Sequence, residues 1–192
     1  MSQYLANPLI FVVNTIFALY VLAVLLRFLL QLVRADFYNP ICQFLVKVTH
    51  PPLRFLRRFI PAVGRIDTAA LVLILALKML GDSLVLLLQG EGAVAFGLLA
   101  GSAAVELVEL AFSVFIYAII IQAILSWVNP DPYHPLYALL MDLVDPILRP
   151  CRRLIPPIGG LDLSPLVALI ALSVLKMLLV PPLRQLVLLL AF

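Results

Sequence analysis

Pro51-Pro52-Leu53-Arg54-Phe55-Leu56-Arg57-Arg58-Phe59-Ile60-Pro61-Ala62-Val63-Gly64-Arg65-Ile66-Asp67 decides the fold, because its polar skeleton returns 95 residues later without a gap. Pro146, Leu148, Arg149, Arg152, Arg153, Ile155, Pro156, Gly159 and Asp162 stand on Pro51, Leu53, Arg54, Arg57, Arg58, Ile60, Pro61, Gly64 and Asp67. Apolar bias repeats leucine readily, but it does not repeat Arg, Pro, Gly and Asp in register. The register runs on through Leu71, Val72, Ala76 and Leu77. The chain therefore reads as one unit used twice, residues 1–95 and 96–192.

On a helical wheel the element is a short amphipathic helix. Arg54, Arg57 and Arg58 fall on one arc, Leu53, Phe55, Leu56, Phe59 and Ile60 on the other, and Arg149, Arg152 and Arg153 repeat the basic arc. Such a helix lies in the headgroup plane, with its arginines toward lipid phosphate or the cytosol. Pro51 and Pro146 read as its starts, and Pro61 and Pro156 as its stops. Gly64 and Gly159 then permit a turn of positive φ before Asp67 and Asp162 cap the next helix.

Outward from this element the chain is apolar. Of 192 residues 65% are hydrophobic and 12% charged, with a mean hydropathy of +1.17, which excludes a soluble domain. Four stretches approach the roughly 20 residues that a bilayer crossing requires: Pro8 to Val33, Thr68 to Leu88, about Ala103 to Val128, and Ser164 to Val180. Asn7-Pro8 and Ser164-Pro165 look like an N-cap with proline at the first helical position. The double proline Pro181-Pro182 reads as the end of the fourth span, leaving a short tail in the outer interface. The first basic residue is Arg27, so the N-terminal segment reads as a retained span rather than a signal peptide.

Loop charges give a direction. Arg34, Lys47, Arg54, Arg57, Arg58 and Arg65 lie between the first two spans and Arg149, Arg152 and Arg153 between the last two, whereas the segment before Pro8 and the connection from Gln89 to Ser102 carry no Lys or Arg. By the positive-inside rule both long connections are cytoplasmic and both termini external. The expected fold is an all-α membrane protein, four transmembrane helices in two parallel repeats, each with a cytoplasmic amphipathic interfacial helix. Two crossings per unit make the repeats parallel rather than inverted, which moves the chain away from the commoner transporter pattern.

The doubled Pro-x-Leu-Arg-x-x-Arg-Arg-x-Ile-Pro-x-x-Gly-x-x-Asp pattern resembles the YggT family of bacterial membrane proteins, called YlmG in cyanobacteria and plastids. The resemblance covers nearly the whole chain. In the second copy Ile124-Leu125-Ser126-Trp127-Val128, followed by Asn129-Pro130 and His134-Pro135, is similar to the family's Leu-Ser-Trp helix end, while the first copy has Leu29-Leu30-Gln31-Leu32-Val33 there. The resemblance implies an inner-membrane protein without established enzymatic activity, linked in different lineages to osmotic tolerance, cell division or envelope organisation, and assembly of a membrane cytochrome complex.

Few residues offer chemistry. Cys42 and Cys151 form no CxxC or metal-ligand spacing, and His50 and His134 stand in connections at non-equivalent repeat positions, where they make poor haem ligands. No nucleophile elbow, phosphate loop or paired carboxylates for acid and base work are present. No metal, cofactor or enzymatic activity is expected. Ionisable residues at bilayer depth carry more weight, since a charge there is costly and is usually paired or functional. Lys78, Asp82, Glu106, Glu109 and Lys176 can meet in one ionic cluster biased to the outer half, while Arg27 is close enough to its helix end to snorkel inward.

The leading reading is a scaffold or assembly factor whose partners are anionic lipid, other membrane proteins and further copies of the chain, but not nucleic acid. A channel or osmolyte-linked transport component is the alternative. For the topology, a reporter fused after Val63 should be cytoplasmic and one at Gly92 external. A cytoplasmic Gly92 would overturn the parallel-repeat arrangement.

Overall fold

The computed structural model describes residues 3–92, 94–128, 134–154 and 162–190. It is all-helical apart from an isolated antiparallel bridge between Val63 and Ile66. Six helices follow in order: α1 (Gln3–Val33), α2 (Pro40–Leu56), α3 (Thr68–Gln89), α4 (Phe96–Val128), α5 (Pro135–Leu154) and α6 (Ser164–Leu190). Four of them, α1, α3, α4 and α6, are long and apolar enough to cross a bilayer. Only 11–17% of the most apolar part of each span is buried, and Phe11, Leu87, Phe96 and Met177 are each at least 70% exposed, so these surfaces require hydrocarbon rather than water around them.

The spans pair as α1 with α3 and α4 with α6, and α3 packs on α4. Helices α2 and α5 lie across one end of the bundle, α2 against α1 and α3, α5 against α4 and α6, and they touch each other. Each buries one stripe: Cys42, Leu45, Thr49 and Leu53 in α2, and Leu139, Leu140, Leu143, Val144, Leu148 and Cys151 in α5. The core is concentrated at this end, where Leu53, Leu148, Val144 and Thr49 meet Val24 of α1, Ala69 of α3, Ile119 of α4 and Ala168 of α6, all fully buried. The Asn39 amide joins the two surface helices at their starts. Its Oδ1 accepts from the Ile41 N–H, capping α2, and its Nδ2 donates to the Pro135 carbonyl at 2.7 Å.

Several helix limits differ from the sequence reading. Pro51 and Pro146 do not start helices; α2 and α5 begin at Pro40 and Pro135, and both prolines lie inside. A proline in a helix interior deprives the carbonyl four residues earlier of its donor. For Pro52 that carbonyl belongs to Val48, and the Tyr20 hydroxyl of α1 donates to it at 3.2 Å. A tertiary contact thus replaces the lost intrahelical bond. At the positions 95 residues on, Phe115 stands for Tyr20 and Ile147 for Pro52, both packed against the core. Where the backbone donor is present, the hydroxyl is not.

Pro8 likewise lies within α1, which begins at Gln3, and the third span begins at Phe96 rather than near Ala103. The fourth continues through Pro181 and Pro182 to Leu190, so the expected interfacial tail is the last part of one helix. Two contacts hold that extension: Arg184 Nη2 lies 2.5 Å from Glu109 Oε2, and Val187 packs against Gly101, where an added Cβ would come within 2.7 Å of its Cγ1. Gly64 adopts φ +61°, the left-handed turn expected of it. Pro156 and Gly159 lie outside the described residues. Arg34 also takes a positive φ of 61°, closing α1 with bonds from its own N–H to Gln31 and from Ala35 N–H to Leu30.

The Tyr20 to Val48 bond generates a double-mutant test. Tyr20→Phe should cost roughly 1–2 kcal/mol by leaving a carbonyl without a donor, and adding Pro52→Ile, which restores the amide, should recover most of it. Thermal unfolding of the two variants in detergent checks this; an additive double variant would show that the pair is not coupled.

Candidate functional site

Two groups of charged side chains occupy opposite ends of the bundle. The first lies within the spans. Lys78 is one helical turn before Asp82 on α3, so both project from one face, and its Nζ lies 2.6 Å from Asp82 Oδ1 and 2.6 Å from Glu106 Oε2 of α4. One turn along α4, Glu109 meets Lys176 of α6 at 3.1 Å and Arg184 at 2.5 Å, and the Lys176 ammonium also donates to Ser113 Oγ at 3.3 Å. The five residues singled out in the sequence thus fall into two adjacent sets, Lys78 with Asp82 and Glu106, and Lys176 with Glu109. Sequence reasoning missed Arg184, because the double proline before it looked like the end of the helix. With Arg184 included, three cations face three carboxylates, and the charge of this group closes.

A cavity of about 190 Å³ adjoins the first set, lined by Asn14, Phe17, Lys78, Gly81, Asp82 and Glu106 among others. Gly81 allows a close approach here. A Cβ at that position would come within 3.0 Å of Phe17 Cβ and Cγ, so α1 and α3 could not approach as closely.

The second group lies at the α2 and α5 end. Arg57 does not face outward with the rest of its arc: it pairs through Nη2 with Asp67, which is buried and which also accepts from the Ala70 N–H to cap α3. Arg152, 95 residues on, reaches Asp162 at 3.1 Å and Asp145 at 3.5 Å. Burial opposes ionisation of Asp162, but the hydrogen bonds from Ser164 and the Arg152 guanidinium outweigh it and hold the carboxyl below the usual carboxylate range. Arg149 is engaged within its own helix by Asp145 at 2.5 Å. Arg54, Arg58 and Arg153 remain exposed and make no ion pair among the described residues. Next to Arg54 and Arg58 in the chain, Phe55 and Phe59, 66% and 67% exposed, stack edge to face with centroids 5.3 Å apart.

Arg27 departs from the sequence reading too. It does not snorkel; it is 7% exposed, and its Nη1 donates to Thr49 Oγ1 at 2.8 Å and to the Val46 carbonyl at 3.4 Å. The residue 95 positions on is Gln122, also buried, whose Nε2 approaches Met141 Sδ at 3.7 Å and whose Oε1 has no partner. His50 is exposed in α2 and His134 exposed just before α5, on different elements. Both cysteines are buried thiols, and burial, with Asp36 and Asp142 nearby, pushes the Cys42 thiol up and away from reactivity.

Four long apolar helices, three of them linked by ion pairs, define a multi-pass helical membrane protein. Comparison with known sequences gives the family. The chain belongs to the CCB3/YggT family, whose sequence profile matches it twice, over residues 6–88 and 101–183. It is 46% identical over 173 residues to an uncharacterized protein of Pseudomonas aeruginosa, covering 89% of this chain and 87% of that one. It is 41% identical over 174 residues to an uncharacterized protein of Vibrio alginolyticus, covering 87% and 90%, and 37% identical over 171 residues to the uncharacterized protein YggT of Escherichia coli K12, covering 89% and 88%. No solved structure matches the chain.

The geometry around Lys78 sets a graded expectation. Lys78→Met strands two carboxylates at bilayer depth and should destabilise the protein by about 3 kcal/mol, the cost of an unpaired charge near a span centre. Because two carboxylates share the ammonium, adding Asp82→Asn alone should restore little, and adding both Asp82→Asn and Glu106→Gln should restore most. Unfolding in lipid nanodiscs measures the series; a flat response would show that the set contributes nothing to the bundle.

Proposed function

We propose that the protein is a non-enzymatic organiser of the bacterial inner membrane, a scaffold or assembly factor that presents α2 and α5 as basic interfacial helices to anionic lipid and to other membrane proteins. Exposed Arg54 and Arg58 next to Phe55 and Phe59, with Arg153 exposed at the end of α5, carry this reading. Arginine with exposed aromatic rings is the composition of a headgroup-layer surface, where the rings enter the acyl boundary and the guanidinium groups meet phosphate. The balanced ion pairs of α3, α4 and α6 agree with a load-transmitting bundle better than with an ion path.

Two finer features belong to this proposal. The arrangement is two parallel units, since α1 and α4 end at Val33 and Val128, α2 and α5 begin at Pro40 and Pro135, and the two family matches begin at residues 6 and 101, each pair 95 apart. The basic connections face the cytoplasm and both termini face outward, on the distribution of Lys and Arg. A channel or osmolyte-linked transport component is the second reading, favoured by the cavity beside Lys78, Asp82 and Glu106.

Reconstitution separates the two. In liposomes of mixed phosphatidylglycerol and phosphatidylcholine, the protein should concentrate phosphatidylglycerol in its boundary layer without passing K⁺, Na⁺ or protons. Replacing Arg54, Arg58 and Arg153 together with Gln should lower that selectivity about tenfold or more, each side chain being worth up to about 1 kcal/mol at an anionic surface. Unchanged selectivity would overturn the lipid-facing surface, and a flux abolished by Lys78→Met would favour the channel.

A further inference from the structure

A cleft of about 400 Å³ opens between α1 and the connection from α2 to α3, lined by Arg27, Gln31, Phe37, Arg57, Ile60 and Asp67 among others. Its charge is unbalanced. Arg57 is paired with Asp67, but Arg27 has no carboxylate within ion-pair distance among the described residues. A guanidinium has five N–H donors. Only Nη1 of Arg27 is engaged, by Thr49 and the Val46 carbonyl, leaving Nη2 and Nε without a hydrogen bond among the described residues. Arg27 lines the open volume of the cleft together with Arg57. Likewise only Nη2 of Arg57 is bonded through its side chain.

A cation that is nine-tenths buried and unpaired is costly in protein, and more so near hydrocarbon. Its compensation must then come from a ligand. Two guanidinium groups against one carboxylate leave one positive charge, which matches the single negative charge of a phosphodiester. Planar guanidinium forks bind phosphate oxygens in pairs, and Phe37 and Ile60 offer apolar walls to what the phosphate carries. We propose that this cleft binds the headgroup phosphate of one anionic phospholipid, held by Arg27 and Arg57. The assignment deepens the reading above and rests on it in one respect, that α2 lies at a headgroup layer. The corresponding position of the second half has Gln122 in place of Arg27 and so lacks that charge.

The whole chain, purified in a non-ionic detergent, is titrated with short-chain phosphatidylglycerol and followed by native mass spectrometry. One lipid should bind saturably per chain. Arg27→Gln, which installs the side chain found at position 122, should weaken binding about tenfold or more. Ala62→Phe, at the exposed rim of the cleft, should abolish binding and leave the unfolding temperature unchanged. Inorganic phosphate at millimolar concentration should not displace the lipid; equal displacement would overturn the lipid assignment in favour of a soluble phosphate compound. Undiminished binding by Arg27→Gln, or by Ala62→Phe should Arg27→Gln fail to fold, overturns the site. The Arg54, Arg58 and Arg153 triple variant should keep the saturable lipid, which separates failure of this site from failure of the boundary surface.

Discussion

One carboxylate turns the chain back into the membrane. Asp67 is buried, accepts the Ala70 N–H at the start of α3 and takes the Arg57 guanidinium from the end of α2. It therefore supplies the partner that the first turn of a span lacks and also holds the surface helix against that span. Asp162 does the same for α6 with Ser164 and Arg152, though it is more exposed and its pair is longer. Without these clasps α2 and α5 would depend on their buried stripes, centred on Leu53 and Leu148, and on the bonds at Tyr20, Arg27 and Asn39.

The packing that results is uneven along the bundle. Fully buried side chains gather where α2 and α5 cover the spans, whereas the opposite half is held by paired charges, a small cavity, and close contacts at Gly81 and Gly101. In hydrocarbon the apolar surfaces of spans gain little by meeting each other, so that half depends on dispersion at close contacts and on electrostatics. Three cations and three carboxylates distributed over α3, α4 and α6 perform that task with their charges balanced among themselves.

The spans were legible because the bilayer imposes length and hydropathy directly on sequence. The surface helices were placed in part: the arginine register overlaps their last turns, but α2 ends at Leu56, before Pro61, and the beginnings were misplaced because proline is a start signal only when nothing outside the helix replaces the bond it removes. The replacement for Pro52 is a hydroxyl 28 residues away from its acceptor, which no local pattern reveals. Arg184 was missed for the same reason, since Glu109 and Gly101 keep α6 helical beyond two prolines. Arg27 illustrates the opposite error. Its distance from the helix end permitted snorkelling, and only the position of Thr49 on a covering helix shows that it turns inward. Arg57 and Arg152 could not have been separated from the other arginines by spacing, since Arg54 and Arg149, and Arg58 and Arg153, keep equally constant distances from Asp67 and Asp162.

The Asn39 bond to Pro135 has a consequence for symmetry. Asn39 caps its own helix and binds the start of α5, while the residue 95 positions later is His134, and no amide stands there to return the contact. Two separate identical subunits related by a twofold axis would have to make such a contact twice or not at all. A single polypeptide carrying both halves is released from that requirement, so one half can specialise in gripping and the other in being gripped. The same freedom allows a guanidinium at position 27 and an amide at position 122, a difference that two copies of one subunit could never display.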